Sequence, residues 1–199
     1  MVLPDVLFAI VLSIVLCAAL AVALVLVLVS IRKPIDVPLM IAAALVVLCL
    51  LVVAVSPVDV PLPVGLGIAV LGTAVAILGG NPITRRVLEL ASHGRVQEGD
   101  NGGILLRAPA VAGAIASEQD VVREVMRGGT TIGYLERAAV ALGIIVGFPE
   151  AIAVIVALKG IGRFSELATA ETRERFIIGT LASLVWACVV AGAVRLAIW

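Results

Sequence analysis

Six stretches of the chain are apolar almost without interruption, and polar residues gather in the intervals between them. Residues 6–31, 38–55, 64–79, 132–147, 149–167 and 175–198 each read as a membrane helix. A crossing takes roughly 20 apolar residues, because a helix rises 1.5 Å per residue against a hydrocarbon core of about 30 Å. The spacing therefore predicts an all-α polytopic transmembrane helical bundle of six spans in a 3+3 layout. Three regions follow: a three-span half over 1–80, a cytoplasmic and interfacial connector over 81–131, and a second three-span half over 132–199. Within the connector, Asn81 and Pro82 resemble an N-cap and a first helical residue. They predict an interfacial helix over 83–93 that stops at Gly94, a loop over 95–103, and a second short helix over 117–126.

The fourth and fifth spans need separate treatment, because Pro149 and Glu150 interrupt GYLERAAVALGIIVGFPEAIAVIVALKGIGRF. One continuous helix would bury Glu150 near the bilayer centre at about 2.5–3.5 kcal/mol. Pro149 would remove a helix hydrogen bond as well. Two antiparallel helices avoid both costs. Gly147 ends the first, Pro149 opens the second, and Glu150 sits in a first turn where the helix dipole favours a carboxylate. Two helices are expected.

Charge placement orients the bundle. Of the 14 basic residues, all but Arg195 fall on one side of a six-span arrangement, and such an excess marks the cytoplasmic face. Both termini are then outside. The N-terminal run lacks a basic leader and is too long for a signal peptide, so the first span is expected to stay attached.

Counted from the turn near Phe148, Glu136 and Lys159 reach similar depth on opposite arms of the hairpin. Arg163 is one turn beyond Lys159, with Glu166 three residues further. Glu136, Arg137, Lys159, Arg163 and Glu166 are thus expected to form a largely neutralised inner-leaflet cluster, with Glu136 paired to Lys159 or Arg163. Thr180 and Ser183 lie at i, i+3 on the last span, in the same layer.

Composition narrows the chemistry. The chain is 62% hydrophobic and 14% charged with a formal net charge of +0, which gives no electrostatic footprint for nucleic acid. Cys17, Cys49 and Cys188 sit singly in apolar runs, and His93 is the only histidine. No metal site, cofactor or catalytic residue is expected from such a set.

The blocks IGYLER (132–137), ALKGIGRFSEL (157–167) and ERFIIGTLAS (174–183) resemble the C-terminal signature of a family of uncharacterised bacterial integral membrane proteins. The matching positions are Gly133, Leu135, Glu136, Arg137, Lys159, Arg163, Phe164, Glu166, Leu167, Phe176, Ile178, Gly179, Thr180, Leu181 and Ser183. The resemblance covers about residues 130–199 and implies a bacterial cytoplasmic membrane, without an activity to transfer.

Three functions fit these readings. The first is a structural or regulatory membrane component whose charge cluster fixes the C-terminal hairpin. Its partners would be the lipid bilayer and either a membrane protein or a second copy of the chain. A small-solute or ion transporter or channel subunit is the alternative, since the two halves run in opposite senses as inverted repeats do. A membrane enzyme acting on a lipid or phosphate-bearing substrate is the third, with Glu136 or Glu166 as acid or base beside Arg163.

Overall fold

The computed structural model describes residues 3–33, 35–56, 58–92, 104–107, 122–125, 129–162, 164 and 169–199. They form six helices and one short ribbon: α1 (Leu3–Arg32), α2 (Asp36–Ala54), α3 (Leu62–Ser92), β1 (Ile104–Arg107), β2 (Val122–Val125), α4 (Gly129–Ile145), α5 (Ala151–Gly162) and α6 (Ala170–Ile198). Four helices, α1, α2, α3 and α6, are long and apolar enough to cross a membrane.

Two sets of contacts fix how the helices alternate. At one end, Arg86 near the close of α3 pairs with Asp36 at the start of α2, 2.7 Å apart. Arg32 and Lys33 lie on the connection beside them, and this is the basic end. At the far end, the Val60 amide donates to the Ala197 carbonyl at 2.8 Å, which ties the α2–α3 connection to the close of α6. The Arg195 guanidinium donates to the carbonyls of Ile144 and Ile145, each at 3.3 Å, so the α4–α5 turn lies there too. α3 and α6 form the most extensive helix pair, and α4 packs against both.

The buried faces follow packing geometry, since almost every side chain on α1 and α2 is apolar. On α2 the buried residues are Leu39, Ala42, Val46, Cys49 and Val53, a 3-4-3-4 spacing that gives a narrow seam between nearly aligned helices. Most of the rest of α2 is exposed, with Pro38, Ala43, Leu45 and Leu50 half-buried, as befits a helix with lipid on most sides. Lipid provides no hydrophobic drive for helices to associate, so close packing and hydrogen bonds must do so. Gly72 of α3 is such a contact, because a Cβ there would overlap Val194 of α6.

Several expectations are corrected. Residues 83–92 are the last turns of α3, not a separate interfacial helix, and Asn81 is inside the helix rather than at its cap. The boundary placed at residue 80 therefore falls inside one helix. Pro82 removes a helix donor but is tolerated because neighbouring helices bond to this stretch of backbone, as the next section details. Within the short helix expected over 117–126, residues 122–125 form β2 instead, whose antiparallel partner is β1, with Leu105 opposite Glu124 and Leu106 opposite Arg123; residues 117–121 and 126 lie outside the described residues. A helix so short is marginal in water, whereas Val122 and Val125 suit a cross-strand pairing. The ends of the predicted 83–93 helix at His93 and Gly94, and the 95–103 loop, lie outside the described residues.

The interrupted stretch does form two helices, α4 and α5, joined at residues 146–150. Gly147 has φ +85°, a left-handed conformation that suits glycine at a helix stop. α5 runs to Gly162; of the residues expected to extend it to 167, residues 163 and 165–167 lie outside the described residues.

The close approach at Gly72 gives a test. Gly72→Ala should destabilise the bundle by about 1–3 kcal/mol, the usual cost of overpacking, read as a lower melting temperature in detergent. Gly67→Ala, with open space around it, should be neutral within about 0.5 kcal/mol.

Candidate functional site

Arg137 occupies the middle of the three-helix contact. Its side chain leaves α4, crosses the seam between α3 and α6, and is 2% exposed. The route exists because two facing positions lack side chains. A Cβ on Gly80 of α3 would overlap the Arg137 Cδ, and one on Gly133 would stand 3.1 Å from its Nη1. Every guanidinium nitrogen donates a hydrogen bond. Nε donates to the Ile77 carbonyl at 2.8 Å, Nη1 to Ser183 Oγ at 2.8 Å, and Nη2 to Asn81 Oδ1 at 2.7 Å. The Tyr134 ring lies 5.3 Å from Cζ and adds a cation–π contact.

Magnitudes explain why such a charge is tolerated. An arginine at membrane depth costs about 2.5–3.5 kcal/mol on insertion scales. Intramembrane hydrogen bonds average about 0.6 kcal/mol and reach about 1.7, so three of them offset most of that cost. The geometry also explains the uninterrupted α3. Pro82 has no N–H for the Leu78 carbonyl four residues earlier, and Arg137 bonds to the adjacent carbonyl. Trp186 of α6 bonds the same helix two residues before Ile77, Nε1 donating to the Val75 carbonyl at 3.2 Å.

Glu136 and Lys159 form a second, separate unit. Lys159 Nζ lies 2.6 Å from Glu136 Oε2, with side chains 16% and 9% exposed respectively. This is the pairing expected from equal depth on the hairpin. Lys159 also stands 5.8 Å from the centre of the Phe176 ring of α6. α5 has no fully buried residue and packs chiefly on α4, so this ion pair is its one charged tie to the bundle among the described residues.

The predicted cluster is therefore divided. Arg137 and Ser183 meet in the α3–α4–α6 seam, while Glu136 and Lys159 meet between α4 and α5. Thr180 is buried in the same layer, but its Oγ1 has no hydrogen-bond partner. Arg163 and Glu166 lie outside the described residues. Asn81 was read as a helix cap and missed as a site residue. Its signal was an amide in the middle of a long apolar register. No group of three or more metal-ligating side chains occurs among the described residues.

No protein-family model, curated protein or solved structure matches this chain.

The ion pair predicts an asymmetry. Glu136→Gln alone strands the Lys159 ammonium and should cost about 3–5 kcal/mol if the charge remains buried, seen as a sharp loss of folded yield. Glu136→Gln with Lys159→Gln should recover part of that yield. Equal yields for wild type and single mutant in size-exclusion profiles would refute the pairing as a structural tie.

Proposed function

We propose that the protein is a structural or regulatory component of the bacterial cytoplasmic membrane, and that the Arg137 and Glu136–Lys159 units fix its C-terminal half. The observation that carries this reading is the Arg137 guanidinium, 2% exposed with all three nitrogens bonded to neighbouring helices. A transport site needs polar groups that a solute can reach, and these are engaged with one another. The C-terminal blocks that resemble bacterial membrane proteins are consistent with that compartment. The protein's contacts would be lipid and either a membrane-protein partner or a second copy of the chain.

The orientation we propose puts the basic end in the cytoplasm. Arg32, Lys33, Arg85, Arg86, Arg173 and Arg175 belong to that end, and Asp59, Glu150 and Arg195 to the other. Six spans with both termini outside is the arrangement that fits the basic bias. The hairpin is the short part of this scheme. With 17 residues α4 rises about 25 Å, and with 12 residues α5 rises about 18 Å. The bilayer must thin locally or admit charged ends to accommodate it. A hairpin that enters and leaves on the basic side preserves the same side for both termini, so the orientation does not depend on this point.

Two measurements test the proposal. Single cysteines at Asp59, Glu89 and Glu150, in a background without Cys17, Cys49 and Cys188, should label from opposite sides: Asp59 and Glu150 from outside, Glu89 from the cytoplasm. Labelling of Glu89 and Asp59 from one side would overturn the orientation. In liposomes, the protein should leave proton, sodium, potassium and chloride permeability at the level of empty vesicles. A flux abolished by Glu136→Gln with Lys159→Gln would replace the structural reading with transport.

A further inference from the structure

We propose that Gly79, Gly80, Asn81 and Pro82 form a hinge in α3, held straight by Arg137 and Trp186, through which the membrane bundle controls the last turns of α3. The connector begins directly after those turns. The inference goes beyond the structural role above and does not depend on it.

Three observations converge on this point. The first is local backbone. Pro82 leaves the Leu78 carbonyl without its helical donor, and two successive glycines precede it, the residues with the greatest backbone freedom. Proline and glycine are where helices usually kink, yet α3 runs through them as one helix from Leu62 to Ser92. The second is the pair of side chains set against this site. Trp186 stands where a Cβ on Gly79 would be 2.7 Å from its ring, and Arg137 occupies the corresponding space at Gly80. The third is where those side chains bond. Trp186 Nε1 and Arg137 Nε donate to the carbonyls of Val75 and Ile77, and Arg137 Nη2 reaches Asn81. Two neighbouring helices thus hold the α3 backbone just before the weak point, at Val75 and Ile77, and Arg137 spans from there to the Asn81 side chain within it. That is a lock on a hinge.

What the lock controls follows from position. Beyond Pro82 the helix carries Arg86, which pairs with Asp36 of α2 and with Glu89. Leu90 stands about 12 Å beyond Pro82 along the axis, so a bend of about 30° would carry it through roughly 6 Å, within the range of proline kinks. Arg137 adjoins Glu136 in sequence, and Glu136 is bound by Lys159 of α5. A partner that moves the hairpin would therefore act on the lock directly.

The test uses the full chain in lipid nanodiscs, without its native cysteines. Spin labels go at Leu90 and at one of two references, Ile31 of α1 or Ile177 of α6, all exposed. Wild type should give one narrow distance distribution for each pair. Arg137→Gln should add a second population displaced by roughly 6 Å for at least one pair. Adding Pro82→Ala, which restores the helix donor, should remove it. Should Arg137→Gln fail to fold, Asn81→Ala with Ser183→Ala strips two of the three bonds, keeps the charge, and should give the same second population. Gly72→Ala destabilises the same helix away from the hinge and should leave the distances unchanged. Folded lock variants with wild-type distances would overturn the hinge. So would a second population that survives Pro82→Ala, or one that Gly72→Ala produces equally.

Discussion

A guanidinium buried among three helices sets the terms for the C-terminal half of this protein. Among the described residues Arg137 has no carboxylate in its hydrogen-bond shell; its three partners there are a backbone carbonyl, an amide and a hydroxyl. In hydrocarbon, each lost partner would leave a charged donor facing apolar surface, where water cannot compensate. α3, α4 and α6 are consequently tied to one register. Sliding any helix by a turn would move Ile77, Asn81 or Ser183 about 5.4 Å from its nitrogen.

The glycines of α3 are the counterpart of that arginine. Gly80 makes the passage for the side chain, Gly79 receives the Trp186 ring, and Gly72 admits Val194 one layer away. Small residues in a membrane helix let neighbours approach closely, and here the approach allows two side-chain donors to reach the α3 backbone. The arrangement is economical in polar groups. Two helices bond to carbonyls beside the one that the proline leaves without a donor, and α3 continues through this site as a 31-residue helix.

α5 contrasts with this core. It is 12 residues long and none is fully buried. Ile152 and Ile155 pack against the core from its partly buried side, and Lys159 supplies the ion pair. The helix is thus held at its far end by the Gly147 turn, where Arg195 caps the last carbonyls of α4, and at its basic end by Lys159. Stability is unevenly distributed in such a structure, and weakly packed elements open at lower free energy than the core. Among the described helices, α5 has the least buried packing and is where opening costs least.

The helical class with its four long apolar helices, the two-helix solution around Pro149 and the Glu136–Lys159 pairing were legible from the chain alone. Length, a turn signal and equal depth from that turn are one-dimensional quantities, and one-dimensional reasoning suffices for them. The fate of Asn81 and Pro82 was not. Their local pattern favours a helix start, and only the arrival of Arg137, 56 residues later, and of Trp186, 111 residues from Val75, makes a continuous helix the better state. The buried faces of α1 and α2 were hidden for a related reason. When every position is apolar, no periodicity marks the seam, and the 3-4 spacing of Leu39, Ala42, Val46, Cys49 and Val53 emerges only from contact with neighbouring helices. The division of one expected charge cluster into two units has the same origin. Successive residues on a helix point about 100° apart, so Glu136 and Arg137 shared a depth in the sequence, but the packed helices gave them different partners.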